Sequence, residues 1–353
     1  MTARSWGLLV GVALVLPAVA AAADAPRRAV TYPMRTMGTY ANVTLVTADS
    51  AADAPRAALA KHVFARVDSL MTNWTAISEV ARANRLAGHE TVTLHPEVAT
   101  VVDSSLQLWR QSGGAFDFTV EPLIRAWGFL GGPRRVPSPD EARRAAARVG
   151  SQRVTFDRAT RALRFESDSV RIDLGGIAKG YAVEMAMRAL RDAGVGDALV
   201  DLTGNMAALG SPVGKQYWTI GVRDPHDRTP YFARLRLHSG EAISTSGKYE
   251  QFVAQDGMTY GHIMDPRTGR PADGLISVTV ISGSAFTCDA WDTPLFVLGV
   301  HEAREKAKSR ADFSVVLVQP GADGVDTVWV ESDIADRFTL EPAAASRFRV
   351  VVF

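Results

Sequence analysis

The sequence predicts an α+β fold in which a helix-rich N-terminal third joins a mixed, largely antiparallel sheet region. Apolar residues recur at helical spacing through the first third, and strand-length apolar runs dominate later. Helices and strands do not alternate in the regular way that builds parallel βαβ units. With 353 residues, 47% of them apolar, the chain can bury a sizeable core in one large domain or two interlocked ones.

The chain opens with Arg4, an apolar stretch from Trp6 to about Val19, and small residues through Ala23 before Asp24. This reads as a cleaved secretory signal, because the run is too short and wrongly flanked to span a membrane. Residues 1–23 are therefore expected to be removed, and 24–353 to form one exported, periplasmic, soluble domain with no transmembrane span. No cysteine follows the run to carry a lipid.

Tyr40 to Val46 alternates as a strand, and Leu59, Val63, Val67 and Leu70 give Ala54 to Met71 the spacing of a helix. A second helix is expected from Glu97 to Arg110, stopped at Gly113-Gly114. Then come a short helix near Val120 to Trp127, a Gly/Pro-rich connection from Gly131 to Pro139, and a polar helix from Ser138 to Val149 with Ser138 as its cap. Val154 to Phe156 and Leu163 to Glu166 read as a hairpin around Asp157-Arg158-Ala159-Thr160. A strand at Val170 to Leu174 and a helix from Ile177 to Ala193 follow. The rest is strand-rich: Leu199–Leu202, Trp218–Val222, Phe232–Leu237, Ile276–Ile281, Phe313–Val318 and Val328–Val330. Helices are expected from about Asp289 to Leu298 and near Glu302 to Lys308.

Composition excludes several functions. Cys288 is the only cysteine, so no intramolecular disulfide or thiolate zinc cluster can form, and none of the seven histidines has H-E-x-x-H spacing. A net charge of +1 without a basic run argues against nucleic acid or an anionic membrane as a main partner.

Five segments carry possible chemistry. Cys288-Asp289-Ala290-Trp291-Asp292-Thr293 places Asp289 and Thr293 four apart, on one face of a helix, with Asp292 in reach of the same point. Such a hard-oxygen set suits Mg²⁺, although acidic residues at a helix start also complement its dipole. Ile172-Asp173-Leu174-Gly175-Gly176-Ile177-Ala178-Lys179-Gly180-Tyr181 runs through a glycine pair into a helix. It is either a phosphate cradle or an ordinary turn, since it matches neither the Walker pattern nor G-x-G-x-x-G. His262 to Gly269 has a turn signature, and Gly114 to Thr119 reads as a helix end plus a turn. Met71-Thr72-Asn73-Trp74 sets a tryptophan where it either stacks on a flat ligand or, more commonly, fills the core.

Taken together and in this order, these segments resemble the ApbE family of FAD:protein FMN transferases. The match begins at Met37-Gly38-Thr39 and continues through Asn73-Trp74, Ser78-Glu79, Gly114 to Trp127-Gly128-Phe129, and Asp173 to Tyr181. It then takes in Ser244-Thr245-Ser246-Gly247-Lys248-Tyr249, His262 to Gly269, and Asp289 to Thr293 with Leu298-Gly299. It spans most of residues 35 to 300.

The resemblance implies a Mg²⁺-dependent enzyme that cuts the FAD pyrophosphate, places FMN on a threonine or serine hydroxyl of an acceptor protein, and releases AMP. The acceptor would be a subunit of a membrane redox complex. The family's metal site falls on Asp289, Asp292, Thr293 and a backbone oxygen at Gly176. Its flavin nucleotide contacts fall on Met37, Trp74, Ala115, Phe116, Asp117, Asp173, Lys179 and Ile263. Asp289 and His262 are the expected catalytic residues, with His262, or an Asp carboxylate, taking the acceptor proton.

Three positions depart from the family pattern. Trp74 stands where tyrosine is common, Thr203-Gly204 replaces a glycine pair, and Pro294 lies inside the expected metal helix. The proline is tolerable there if the helix starts at Asp289 or later. The same scaffold could instead host a Mg²⁺-dependent FAD pyrophosphatase giving FMN and AMP, or a periplasmic flavin-binding protein without turnover. A secreted α+β domain whose polar clusters are only turns and caps would leave the ordered motifs as coincidence.

Overall fold

The computed structural model describes residues 26–353, so the expected leader lies outside the described residues. Nine strands form the central sheet: Arg28–Thr36, Thr39–Thr47, Ala198–Leu202, Asn205–Leu209, Ala242–Gly247, Ser277–Ser282, Phe313–Gln319, Asp326–Val330 and Phe348–Val352. Their order across the sheet is their order along the chain. Each neighbouring pair is antiparallel except the last, Asp326–Val330 with Phe348–Val352, which is parallel. The α+β, largely antiparallel architecture read from the sequence is the one observed.

The helices are α1 (Ser50–Met71), α2 (Glu79–Leu86), α3 (Pro96–Gln111), α4 (Glu121–Ala126), α5 (Pro139–Ala146), α6 (Ala178–Asp192) and α7 (Ala285–Lys308). Helices α1, α6 and α7 pack on one face of the sheet. The other face carries a three-stranded sheet of Trp218–Arg223, Tyr231–Leu237 and Phe338–Leu340. Alternation along each strand divides the apolar residues between the two layers: Val278, Val280, Val315 and Leu317 face the helices, while Ile281, Val316 and Val318 face the small sheet. Among the described residues no helix is long and apolar enough to cross a membrane.

Caps account for several boundaries. Ser138 caps α5 in a reciprocal box with Glu141, as its position predicts. The unpredicted α2 is capped by Ser78, whose Oγ accepts from Ala81 N at 2.9 Å and donates to Thr72 O at 2.5 Å.

Two expectations need correction. Val170–Leu174 is not a strand. Its backbone groups are taken by amide side chains: Ile172 N donates to Asn84 Oδ1 at 2.8 Å, and Ile172 O accepts from Asn73 and Asn84, both at 2.9 Å. The segment has no ladder partner, and Asp173 N bonds instead to Phe118 O. The acidic helix does not start at Asp289 either. It starts at Ala285, where Ser284 Oγ accepts from Thr287 N, and it breaks at Gly299 (φ 74°, ψ 173°). The two helices expected from 289 to 298 and 302 to 308 are thus the halves of one interrupted element, with Pro294 in its interior.

Candidate active site

Asp289 stands in the second turn of α7, where α7 crosses the start of α6. Its Oδ2 accepts from Gly180 N at 2.7 Å and its Oδ1 from Lys179 Nζ at 3.3 Å. The first N–H groups of any α-helix lack intrahelical partners, and the N-terminus of α6 has no side-chain cap of its own, so Asp289 supplies one from another element. The contact is close enough to require glycine. A Cβ on Gly180 would come within 2.4 Å of both Ala285 O and Asp289 Cβ.

Asp292, one turn on, lies behind Asp289 with 2% exposure. Its Oδ2 accepts from Ser244 Oγ at 2.5 Å and its Oδ1 from Thr293 Oγ1 at 3.2 Å. Asn205 joins the two carboxylates. With its amide nitrogen toward Asp289 Oδ1 (2.9 Å) and Ser244 Oγ (2.7 Å), its oxygen accepts from Lys179 Nζ at 3.3 Å. Burial and the neighbouring Asp289 push the Asp292 carboxyl well above the usual carboxylate range. Burial works against the charge on Lys179, but Asp289 and Asp292 outweigh it and hold the ammonium above its ordinary value.

Lys179, Asp289 and Thr293 of this network line a cleft of about 290 Å³. Phe116 and Ile263 line its apolar wall, and Trp74 stands at its edge with 71% exposure. A core role for Trp74 is ruled out by that exposure. The tryptophan loop is fixed by Asn73, whose Nδ2 donates to Asp173 Oδ2 and Ile172 O at 2.9 Å each. Asp173 Oδ1 in turn accepts from Gly175 N at 2.7 Å, which shapes the glycine turn. Gly176 sits beside Thr293, since a Cβ there would lie 4.0 Å from Thr293 Oγ1.

His262 also lines the cleft. Its Nδ1 lies 3.3 Å from the Gln251 carbonyl, which can only accept, so the ring proton belongs on Nδ1 and Nε2 is left as the basic nitrogen. Burial, then the positive charge of Lys179, lowers the imidazole pKa to about 4, which keeps it neutral near pH 7.

The structure therefore brings Trp74, Ala115, Phe116, Asp117, Asp173, Gly176, Lys179, His262, Ile263, Asp289 and Thr293 to one cleft, with Asp292 directly behind it. Asp117 lines the wall, but both its oxygens are already engaged. Oδ1 accepts from Thr119 N, Thr119 Oγ1 and Ser151 Oγ, and Oδ2 accepts from Ser151 N. Met37 is not among the lining residues. It takes φ 49° in the turn between the first two strands and packs against the core. Sequence reasoning gave no role to Asn205, Ser244, Ser246 or Glu250. The first two hold the acidic pair, and the last two line the cleft. Ser244 and Ser246 sit in a segment that carries the family resemblance, whereas nothing in the spacing of residue 205 points to residue 289.

A cleft lined by aromatic and apolar side chains together with a lysine and a carboxylate has the polarity of an enzyme that handles a nucleotide-type ligand. The chain belongs to the ApbE family, whose model matches residues 37–317. It is 32% identical over 304 residues to the FAD:protein FMN transferase of Salmonella typhimurium, a match covering 83% of this chain and 85% of that protein. The flavin transferase ApbE from Vibrio cholerae superposes with a TM-score of 0.79 at 28% identity, over 88% of this chain and 100% of that one. The apo form of Pseudomonas stutzeri flavinyl transferase ApbE gives 0.75 at 29% identity, over 86% and 95%.

Proposed function

We propose that this chain transfers FMN from FAD to a threonine or serine hydroxyl of an acceptor protein and releases AMP, using Mg²⁺. The observation that carries this reading is the Lys179–Asp289–Asn205–Asp292 network, whose Lys179 and Asp289 line the same cleft as the exposed Trp74. The acceptor is an exported subunit of a membrane redox complex.

The donor set fits Mg²⁺. The proposed ligands combine the two carboxylates with Thr293 Oγ1 and a backbone oxygen at Gly176, hard oxygens of the kind Mg²⁺ takes; no group of three or more His, Cys, Asp or Glu that could hold a metal occurs among the described residues. When bound, the ion would neutralise charge developing on the pyrophosphate oxygens.

The protein's own groups do the rest. Trp74 stacks on the isoalloxazine, while Phe116 and Ile263 enclose the apolar part of the ligand. Lys179 binds and polarises phosphoryl oxygens. The acceptor hydroxyl oxygen bonds to the FMN phosphorus, the bond from that phosphorus to the bridging oxygen breaks, and AMP leaves with that oxygen. His262 Nε2 takes the hydroxyl proton, and its neutral state at pH 7 suits the task. Phosphoryl transfer depends mainly on positioning and charge, so a weak base is sufficient.

Mass spectrometry of candidate acceptors after incubation with FAD and Mg²⁺ tests the proposal. The expected result is an acceptor heavier by FMN on a hydroxyl residue, one AMP per label, and near-complete loss of both in Asp289→Asn. AMP and free FMN without a labelled acceptor would make the chain a pyrophosphatase. FAD binding without AMP would make it a binding protein.

A further inference from the structure

Among the described residues, five other than glycine have a positive φ: Met37, Arg161, Thr203, Asp227 and Asp256. Of these, Thr203 alone is β-branched, and it alone lines the cleft. At φ 50° its branched side chain crowds the backbone, in a conformation that glycine adopts freely and threonine rarely.

The fold does not need threonine there. Thr203-Gly204 is a two-residue turn between Ala198–Leu202 and Asn205–Leu209, with φ of 50° and 87°, both positive as a type I′ turn requires. The ladder from Ala198↔Leu209 to Leu202↔Asn205 sets the register, and Gly204 N donates to Asp201 Oδ1 at 3.0 Å. Glycine or asparagine at 203 would close the same turn with less strain.

What threonine adds is a hydroxyl held in one orientation. The ladder between Thr39–Thr47 and Ala198–Leu202 ends at Ala41↔Leu202, and Thr203 Oγ1 takes the next carbonyl, donating to Tyr40 O at 3.0 Å. Thr39 Oγ1 lies 2.7 Å from the same oxygen. A hydroxyl has one proton and two lone pairs, so with its proton on Tyr40 O, Thr203 Oγ1 accepts from Thr39 and keeps one lone pair for another donor. Both bonds are exposed to solvent and add little to stability. An acceptor whose rotamer is already fixed, however, loses little entropy when a ligand donates to it.

Trp74, Phe116 and Ile263 serve the flavin ring, Lys179 the phosphoryl oxygens and His262 the acceptor proton, which leaves the sugar hydroxyls of the nucleotide without a partner. We propose that Thr203 is a binding residue whose Oγ1 accepts a hydrogen bond from a sugar hydroxyl of the bound flavin nucleotide. The inference rests on the flavin transferase reading and extends it from the ring and the phosphates to the sugar.

Isothermal titration of FAD, FMN and AMP against wild type and three variants at this position tests the assignment, with melting temperatures alongside. Thr203→Val keeps the branched shape but lacks the acceptor, and should weaken FAD binding about fivefold, the value of one hydrogen bond between neutral groups, with little change in melting temperature. Thr203→Gly lacks the acceptor and relieves the strain, so it should bind FAD as weakly as Thr203→Val while melting no lower than wild type. Thr203→Ser keeps the hydroxyl and should restore FAD affinity. The loss in Thr203→Val should fall on one product alone: on FMN if the donor belongs to the ribityl chain, on AMP if it belongs to the ribose. Unchanged FAD affinity in Thr203→Val, or an equal loss for FMN and AMP, would overturn the assignment and leave the transferase reading intact. Failure of wild type to bind FAD would overturn both.

Discussion

Asp289 serves two structures at once: it completes the first turn of α6 through Gly180 N and turns its other oxygen to Lys179 and Asn205. Its residue type and its spacing from Thr293 are readable along the chain, whereas its partner Asn205, 84 positions earlier by subtraction of the residue numbers, is not. Trp74 shows the complementary case. An aromatic at a helix end is more often core than ligand contact, and only its 71% exposure decides between them. Trp74→Ala should weaken FAD binding by about 1–3 kcal/mol, by analogy with aromatic–base stacking. AMP affinity and melting temperature should hardly move, and titration of both ligands beside thermal melts checks this. His262 makes a prediction in pH. Its folded pKa of about 4 lies below the ordinary 6.5, so the folded chain binds fewer protons than the unfolded one between those values. The stability it contributes is complete above about pH 6.5 and is lost as pH falls toward 4. If it is the base, kcat/KM should fall through an apparent pKa near 4 and not near 6.5, and His262→Gln should remove that limb of the profile while leaving FAD affinity intact.

At the scale of elements, the crossing of α6 and α7 sets the site. Gly180→Ala would force the helices apart, costing about 1–3 kcal/mol in stability as overpacking does, and would shift Asp289 from Lys179. Gly196→Ala, at a position open to solvent space and without positive φ, should be neutral in the same urea titration and in turnover. Equal stability for the two variants would remove the close approach from the account. Helical periodicity located α1, α3 and α6 to within a few residues, because a long amphipathic pattern records its own period. Pattern reading failed at Val170–Leu174, where apolar and charged residues alternate as in a strand but the backbone of Ile172 is satisfied by Asn73 and Asn84 instead of by a neighbouring strand. It also failed at Asn205–Leu209 and Ala242–Gly247. Those segments are rich in small and polar residues and owe their strand conformation to the ladders on either side.

Over the whole molecule, the sheet follows chain order, yet its middle brings Asn205, Ser244 and the sheet-facing side of α7 to one point. If Mg²⁺ binds there, it binds only the folded chain. At a hundred times its dissociation constant it should then add about 2.7 kcal/mol to the unfolding free energy. Chelation should remove that gain, and Asp292→Asn should not show it. An equal gain in Asp292→Asn, read by melting with and without Mg²⁺, would take the ion away from the acidic pair.

The sequence by itself determined the α+β class, the principal helices, the exclusion of an intramolecular disulfide and of a thiolate zinc cluster, and the ordered segments that mark the ApbE family. These are properties of local period, residue chemistry and order along the chain. Tertiary structure alone decided that Trp74 is exposed, that Asp117 spends its oxygens on Thr119 and Ser151, that Met37 packs against the core, and that Asn205 joins Lys179 to the acidic pair. Burial and partner choice are fixed by contacts between residues far apart in sequence, and no local pattern records which distant side chain will arrive.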